Sequence, residues 1–250
     1  MFFSAYFTII TIATLTGFTF FYQTAKRNNI DPVVAIDLGI ITSIFGILGA
    51  RLFHIIFEMP SYYLEHPWDI FKLWQGGFVL YGGFILPAII SYIYIKHKKL
   101  NFANIVDFIT PSVALGAGIG RIACVVQGCC YGKATNVPWA VVYHHPADPN
   151  TPIGMHIHPT QMYMVLSYFF IFFLILFIFK NGRRKKFNGQ IFATFIVLES
   201  FFRFIIEYFR GDFRGSFFEP YLSTSQVISL TLFVSASIFL IKNYHKKRII

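Results

Sequence analysis

Long apolar stretches alternate with short polar ones along almost the whole chain. Seven stretches have the length of a membrane span, at residues 6–22, 33–57, 78–95, 106–126, 161–179, 189–209 and 225–241. Because a helix of about 20 apolar residues crosses a bilayer, the pattern predicts an all-α, polytopic membrane protein with seven transmembrane helices. We expect residues 1–250 to form a single integral membrane domain whose longest loop covers about 127–160.

The composition supports this class and excludes an ordinary soluble domain. Of the 250 residues, 56% are hydrophobic and only 13% are charged, whereas a soluble domain carries about 25% charged residues. The first apolar stretch lacks a preceding basic segment and a small-residue cleavage site, so we expect a retained helix and not a signal peptide. The three cysteines do not make a disulfide framework.

Loops that are rich in lysine and arginine alternate strictly with loops that contain few of these residues. Fourteen of the 21 basic residues lie in the first, third and fifth loops and in the C-terminal tail. Because basic residues accumulate in cytoplasmic loops, the pattern predicts an N-terminus outside and a C-terminus in the cytoplasm. The net charge of +10 therefore reports topology, and we expect no nucleic-acid partner.

Arginines within the predicted spans are the first candidates for function. Arg51, Arg121 and Arg203 lie inside spans and Arg210 lies at a boundary, all toward the outer leaflet in the predicted topology. Charged side chains in a bilayer are costly and mark functional sites by default. A guanidinium binds two phosphate oxygens at once, so these residues favour a phosphate-bearing ligand. Snorkelling or ion pairing is the structural alternative, above all for Arg51 and Arg210.

The sixth predicted span carries four charged residues on one helical face. Glu199, Arg203, Glu207 and Arg210 follow one another at spacings of 4, 4 and 3 residues, so neighbours are able to neutralise each other. Either this ladder determines how the helix packs, or its glutamates orient the arginines toward a ligand, and both can hold.

Several longer segments resemble one enzyme family. They are GARLFHIIFE, WQGGFVLYGGFI, DFITPSVALGAGIGRIACVVQGCCYGKATNVPWAVV, HPTQMY and FRFIIEYFR. Their order and spacing resemble those of the prolipoprotein diacylglyceryl transferases, from about residue 37 to about residue 230. The most specific part runs from Gly120 and Arg121 through Gly132 and continues in His158–Tyr163.

The resemblance implies an activity, partners and a location. Enzymes of this family transfer the diacylglyceryl group of phosphatidylglycerol to a cysteine thiol of a lipoprotein precursor, forming a thioether and glycerol-1-phosphate. The expected partners are therefore phosphatidylglycerol, membrane lipid and the signal peptides of lipoprotein precursors, with no cofactor and no metal. The expected location is the bacterial cytoplasmic membrane, with an active site that faces the outer leaflet.

The resemblance also assigns residues by position. Catalytic roles fall on Arg121, Arg203, Glu207, Tyr81 and His158. Substrate binding falls on Arg121, Arg210, Gly128, Gly132, Gln161 and Tyr6. Arg51 is added to this set because it also lies toward the outer leaflet in the predicted topology.

The chain departs from the family pattern at three places. Tyr81 stands where better-known members have a histidine, and Met164 stands where they have a glutamate. Cys124, Gln127, Cys129 and Cys130 replace an asparagine–glutamate loop. The general base is therefore open between Tyr81, Glu207 and His158. We favour Tyr81 as a neutral hydrogen-bond donor, because a phenol with a pKa near 10 is a poor base.

Three other functions are weighed against the transferase. A membrane thiol–disulfide enzyme would use Cys129 and Cys130, although redox motifs usually separate their cysteines. A transporter for an anionic solute would also use intramembrane arginines, but the chain has no internal repeat. Zinc binding would use the cysteine pair with His144, His145, His156 and His158, whose spacing matches no standard site.

Overall fold

The chain folds into α-helices joined by short connections. A computed structural model describes residues 5–28, 30–72, 77–179, 185–212 and 222–246, and these residues contain no β-strand. A π-helical turn, His54–Glu58, extends α2, and a 3-10 turn, Pro67–Phe71, follows α3. The helices are α1 (Ala5–Arg27), α2 (Pro32–Phe53), α3 (Pro60–Glu65), α4 (Leu80–His97), α5 (Phe102–Gln127), α6 (Thr160–Ile178), α7 (Gln190–Glu207) and α8 (Thr224–Lys246).

Each of the seven predicted spans coincides with a helix. Within the described ranges, five helices are long and apolar enough to cross a membrane: α1, α2 with its π-helical turn, α5, α6 and α8. The other two, α4 and α7, have 18 residues each. The all-helical fold and the membrane character are confirmed, while the count of seven spans and the orientation of the termini stay predictions.

The chain divides into two compact units, residues 1–21 with 106–250 and residues 22–105. In the first unit, α6 provides much of the core. Its buried residues Met164, Tyr168, Ile171 and Ile175 recur at helical spacing and pack in a cluster with Phe195 and Ile206 of α7. The opposite face is equally apolar but exposed, at Leu166, Phe170, Phe173 and Phe177. A helix that is apolar all round suits a lipid environment.

A buried carboxylate holds the start of α7 in this unit. Asp107, near the start of α5, is 0% exposed. Its side chain accepts hydrogen bonds from Gly189 N at 2.7 Å and Phe192 N at 2.9 Å, and it pairs with Lys185 Nζ at 3.0 Å. Gly189 precedes α7 in a left-handed conformation and has no side chain to cap the helix. Asp107 therefore supplies the N-terminal cap from another helix and anchors α7.

In the second unit, α2 and α4 pack closely through glycines. A Cβ atom at Gly49 would overlap the carbonyl oxygen of Gly82, and a Cβ atom at Gly82 would overlap that of Gly49. Small residues allow two helix backbones to approach in this way. The Val79 N–H also donates to the Ala50 carbonyl at 2.9 Å, which joins the start of α4 to α2.

Candidate functional site

The loop after α5 has an unusual backbone. Gly128–Gly132, here called the GCCYG loop, follows the last residue of α5, and Gly128 ends that helix with a φ of +85°. Left-handed glycine is a common helix terminator. Cys130 also has a positive φ, +62°, although a residue with a Cβ pays about 1–2 kcal/mol for this conformation. The surrounding structure must therefore stabilise the bend at Cys130.

Three side chains provide that support by binding consecutive carbonyl groups of the loop. Thr151 Oγ1 donates to Gly128 O at 3.1 Å, Gln161 Nε2 donates to Cys129 O at 2.9 Å, and Thr160 Oγ1 donates to Cys130 O at 2.7 Å. Thr160 and Gln161 belong to the first turn of α6 and are 0% and 2% exposed. Gln161, predicted to bind substrate, thus orients the loop backbone.

The other end of the loop is attached to the end of α7. Lys133 N donates to Phe209 O at 2.8 Å, and Gly211 N donates to Tyr131 O at 3.0 Å, forming an antiparallel bridge between Gly132 and Arg210. A Cβ atom on Gly132 would overlap both the carbonyl oxygen and the Cβ atom of His158. Only glycine fits at this position, so Gly132 is required for the close approach of three chain segments.

Arginine and sulfur meet inside this framework. Arg121 Nη1 lies 3.9 Å from Cys130 Sγ, and the guanidinium of Arg210 also hydrogen-bonds that sulfur. The Cys124 and Cys129 side chains, followed by Arg210, hold the pKa of the Cys130 thiol below its ordinary value. Hydrogen bonding to Cys124 and Cys130, together with burial, raises the pKa of Cys129. Arg121 and Arg210 therefore meet at the sulfur of Cys130.

The predicted charge ladder on α7 forms in part. Arg203 Nη2 lies 3.0 Å from Glu207 Oε2, and Arg210 Nε lies 3.8 Å from the same oxygen. Arg210 also binds Asp212 with two nitrogens, at 2.9 and 2.6 Å. Glu207 thus joins the two arginines, which is consistent with both interpretations of the ladder, helix packing and orientation toward a ligand. Sequence reasoning missed Asp212, although a carboxylate two residues after an arginine was a visible signal.

Tyr168 connects Arg121 to this ladder. Its hydroxyl donates to Glu199 Oε1 at 3.3 Å and accepts a hydrogen bond from Arg121. Nothing in the sequence distinguishes Tyr168 from the aromatic core residues around it. Tyr6, at the start of α1, also comes within electrostatic range of Arg121 and of the three cysteines, so the structure brings this predicted residue to the cluster.

His158 lies on the wall of an apolar cavity. Its Nδ1 is 3.1 Å from the Tyr163 hydroxyl, which accepts a hydrogen bond from Trp139 Nε1 at 2.8 Å. The cavity has a volume of about 710 Å³. Its lining residues are Val137, Trp139, Val141, His158, Pro159, Met162, Tyr163, Leu166 and Phe209. His158 N also donates to Lys133 O at 3.0 Å, which places the cavity beside the GCCYG loop.

Arg51 and Tyr81 belong to the second unit. Arg51 is 3% exposed, donates to Asp69 O at 2.7 Å and lies over the Tyr63 ring at 5.2 Å. Longer hydrogen bonds reach the carbonyls of Ile70, Lys72 and Gly77. Arg51 thus organises the connection between α2 and α4 through backbone carbonyls, a role that is neither of the two structural alternatives considered, snorkelling and ion pairing. Tyr81 lies in the first turn of α4, and its side chain is outside the described part of the structure.

These features define an integral membrane protein with a cationic cluster held between a glycine–cysteine loop and the end of a helix. A family model described as prolipoprotein diacylglyceryl transferase matches residues 2–242. The chain belongs to this family.

Two similar proteins support the assignment over nearly their full lengths. The Finegoldia magna protein named phosphatidylglycerol–prolipoprotein diacylglyceryl transferase is 35% identical over 242 residues, 97% of this chain and 91% of the relative. A Clostridium tetani protein of the same name is 35% identical over 240 residues, 96% of this chain and 93% of the relative. The resemblance inferred from the sequence is thereby confirmed.

Proposed function

We propose that the chain transfers the diacylglyceryl group of phosphatidylglycerol to the lipobox cysteine of lipoprotein precursors. The observation that carries this proposal is the family match over residues 2–242. In the reaction, the thiol sulfur forms a bond to the terminal glyceryl carbon, and the bond from that carbon to the phosphate oxygen breaks. The thiol proton passes to a base, and glycerol-1-phosphate leaves. No observation favours the thiol–disulfide enzyme or the transporter.

Arg121 is the residue that we assign to the lipid phosphate. The guanidinium groups of Arg203 and Arg210 are engaged by carboxylates at 3.0 Å and 2.6 Å. Among the described residues, by contrast, no carboxylate lies within ion-pair distance of Arg121, whose contacts are the Cys130 sulfur and the Tyr168 hydroxyl. Its charge is therefore the least compensated of the three. Phosphate charge that develops as the leaving group departs is stabilised most by such a cation.

Glu207 and Arg210 have a positioning role in this scheme. Ser223 Oγ donates to Glu207 Oε1 at 3.2 Å while Arg203 binds the other oxygen at 3.0 Å. Both oxygens of this carboxylate are therefore engaged by neighbouring side chains. Arg210 links Glu207 to the GCCYG loop through the bridge at Gly132. Both residues thus help to hold the GCCYG loop against the end of α7.

His158 is the described residue that we propose as the base for the thiol. Its imidazole faces an apolar cavity beside the GCCYG loop, and histidine is the side chain that enzymes use most often as a general base. We assign Tyr81 the role of a neutral hydrogen-bond donor to a phosphate oxygen. This assignment is based on the position of Tyr81 in the family pattern. We assign Gly128, Gly132, Gln161 and Tyr6 to the architecture of the binding site.

The proposed orientation follows from the basic residues. Fourteen of 21 lysines and arginines lie on the side assigned to the cytoplasm, which supports seven spans, an external N-terminus and a site open to the outer leaflet of the bacterial cytoplasmic membrane. Phosphatidylglycerol would enter sideways from that leaflet, and the precursor signal peptide would supply the thiol.

The test is lipid transfer in cells depleted of their own transferase. Expression of this chain should restore growth and shift a reporter lipoprotein precursor to its thioether-modified form, detected by mass spectrometry. Purified chain with phosphatidylglycerol and a lipobox peptide should release glycerol-1-phosphate in equal amount to modified peptide. A chain that reaches the membrane and yields neither product would refute the assignment.

A further inference from the structure

All three cysteines of the chain meet at one point. Cys124 belongs to the last turns of α5, and Cys129 and Cys130 belong to the GCCYG loop. Their sulfur atoms all lie within 4.8 Å of one another, and none of these described cysteines forms a disulfide. The proposed transfer reaction uses none of them. The spacing along the sequence matches no standard metal motif, so only the fold of the loop brings the sulfurs together.

The framework that gathers the sulfurs is built in advance. The left-handed backbone at Cys130, with a φ of +62°, turns the chain back toward the end of α5. The carbonyls of Gly128, Cys129 and Cys130 are held by buried side chains of Thr151, Gln161 and Thr160. Strained backbone that neighbours over-determine is a mark of a functional site. The backbone that carries Cys129 and Cys130 is therefore held by side chains from other parts of the chain.

The charges around the sulfurs suit a complex with three thiolates. Three thiolates around a divalent ion leave a net charge of about −1, and around a monovalent ion about −2. Arg121 and Arg210 both contact the Cys130 sulfur and supply compensating positive charge. Soft thiolate ligands select zinc and cuprous ions over harder cations such as magnesium and calcium.

We propose that Cys124, Cys129 and Cys130 together bind one thiophilic d10 metal ion of the zinc or cuprous class. With metal–sulfur bonds of about 2.3 Å, tetrahedral geometry needs sulfurs roughly 3.8 Å apart. Because all sulfur–sulfur distances are within 4.8 Å, each pair of sulfurs has to approach by roughly 1 Å at most. Binding releases one proton from each thiol that ionises. A zinc ion would keep its fourth position for a water molecule or another ligand, whereas a cuprous ion is satisfied by three sulfurs.

The test uses the reduced, metal-free full chain in detergent, with three thiols verified by titration. Cobalt(II) is the first probe, because thiolate ligation gives a near-ultraviolet charge-transfer band that zinc then removes. Cuprous ion, titrated against a chromogenic chelator, is the second. We expect one ion per chain from at least one of the two titrations. Each of Cys124→Ser, Cys129→Ser and Cys130→Ser should weaken binding at least about tenfold.

A matched control addresses the histidines of the same external loop. His144 and His145 are exposed, and the double variant His144→Gln/His145→Gln should bind the ion as the unchanged chain does. Circular dichroism and gel filtration verify that each serine variant keeps its helices and its size. The proposal is overturned if the fully reduced chain shows no thiolate band and no cuprous binding. It is also overturned if the triple serine variant binds as tightly as the unchanged chain.

Discussion

The Nη1 atom of Arg121 lies 3.9 Å from the sulfur of Cys130, nine residues further along the chain. This contact joins the cation proposed to bind the lipid phosphate to the GCCYG loop. The same sulfur is contacted by Arg210, which carries Asp212 and Glu207 as counter-ions. Arg121, which has no carboxylate within ion-pair distance among the described residues, therefore shares the Cys130 sulfur with an arginine that is compensated.

Replacement of Arg121 by lysine should abolish most of the transferase activity. A lysine ammonium is a point charge and cannot form the two parallel hydrogen bonds that guanidinium makes to phosphate, so we expect turnover to fall on the order of 100-fold or more. Release of glycerol-1-phosphate by purified protein is the measurement. The exposed Arg27 at the end of α1 provides the matched control, since Arg27→Lys should leave the rate unchanged. Normal turnover by Arg121→Lys would remove Arg121 from the phosphate site.

Replacement of Gly132 by alanine should destabilise the protein. The added methyl group would overlap His158 O and approach Phe209 O to 2.9 Å, and overpacking of this kind costs about 1–3 kcal/mol. The apparent melting temperature in detergent should therefore fall, and activity should fall with it because the loop and the end of α7 separate.

Gly120 offers the comparison for Gly132. A Cβ atom there would meet Ile10 and Ala13 at 3.8 and 4.0 Å, which is ordinary contact. Because Gly120 lies within α5, alanine should be neutral or raise stability by up to about 1 kcal/mol. Equal melting temperatures for the two alanine variants would contradict the close packing at Gly132.

Replacement of Asp107 by alanine should cost more stability than loss of an exposed cap. The change leaves Gly189 N and Phe192 N without their acceptor and removes a fully buried carboxylate that pairs with Lys185. We expect a loss of about 2–4 kcal/mol. Asp31→Ala, which removes the cap at Val33 N of α2, should cost only about 1 kcal/mol. Thermal unfolding of both variants in the same detergent compares them, and a larger effect at Asp31 would be the contrary result.

Replacement of Tyr81 by phenylalanine tests the role assigned through the family. The change keeps the ring and removes the hydroxyl, so a neutral hydrogen-bond donor to phosphate predicts a loss of roughly ten- to a thousandfold in turnover at saturating substrates. Tyr92→Phe, at an exposed position on the same helix, is the control. Unchanged turnover of the Tyr81 variant from pH 6 to pH 9 would show that the hydroxyl is not used.

Reporter fusions test the orientation. A reporter after Arg248 should be active in the cytoplasm, and one inserted near Asp148 should be active outside. Insertion near Asp148 suits this purpose because the neighbouring residues Pro149 and Asn150 are exposed. Reporters that are active on the same side would overturn the seven-span topology and the assignment of the arginines to the outer leaflet.

Local patterns were sufficient for the helices and for most candidate residues. A run of apolar residues long enough to cross a bilayer can satisfy its backbone only as a helix, and all seven predicted spans coincide with helices. An arginine within such a run is costly, so Arg121 and Arg203 were visible as candidates from their position alone. The spacing of Glu207 between Arg203 and Arg210 likewise follows from helical geometry, which is local.

Partners distant along the chain were decided only by the tertiary structure. Asp107 caps a helix more than 80 residues away, and Arg51 binds the carbonyls of a connection near Asp69. The three cysteine sulfurs converge because Thr160 and Gln161 hold a strained loop. Each of these contacts depends on how closely two helices or loops approach each other. Packing of the whole unit determines that distance, and no local pattern of residues encodes this packing.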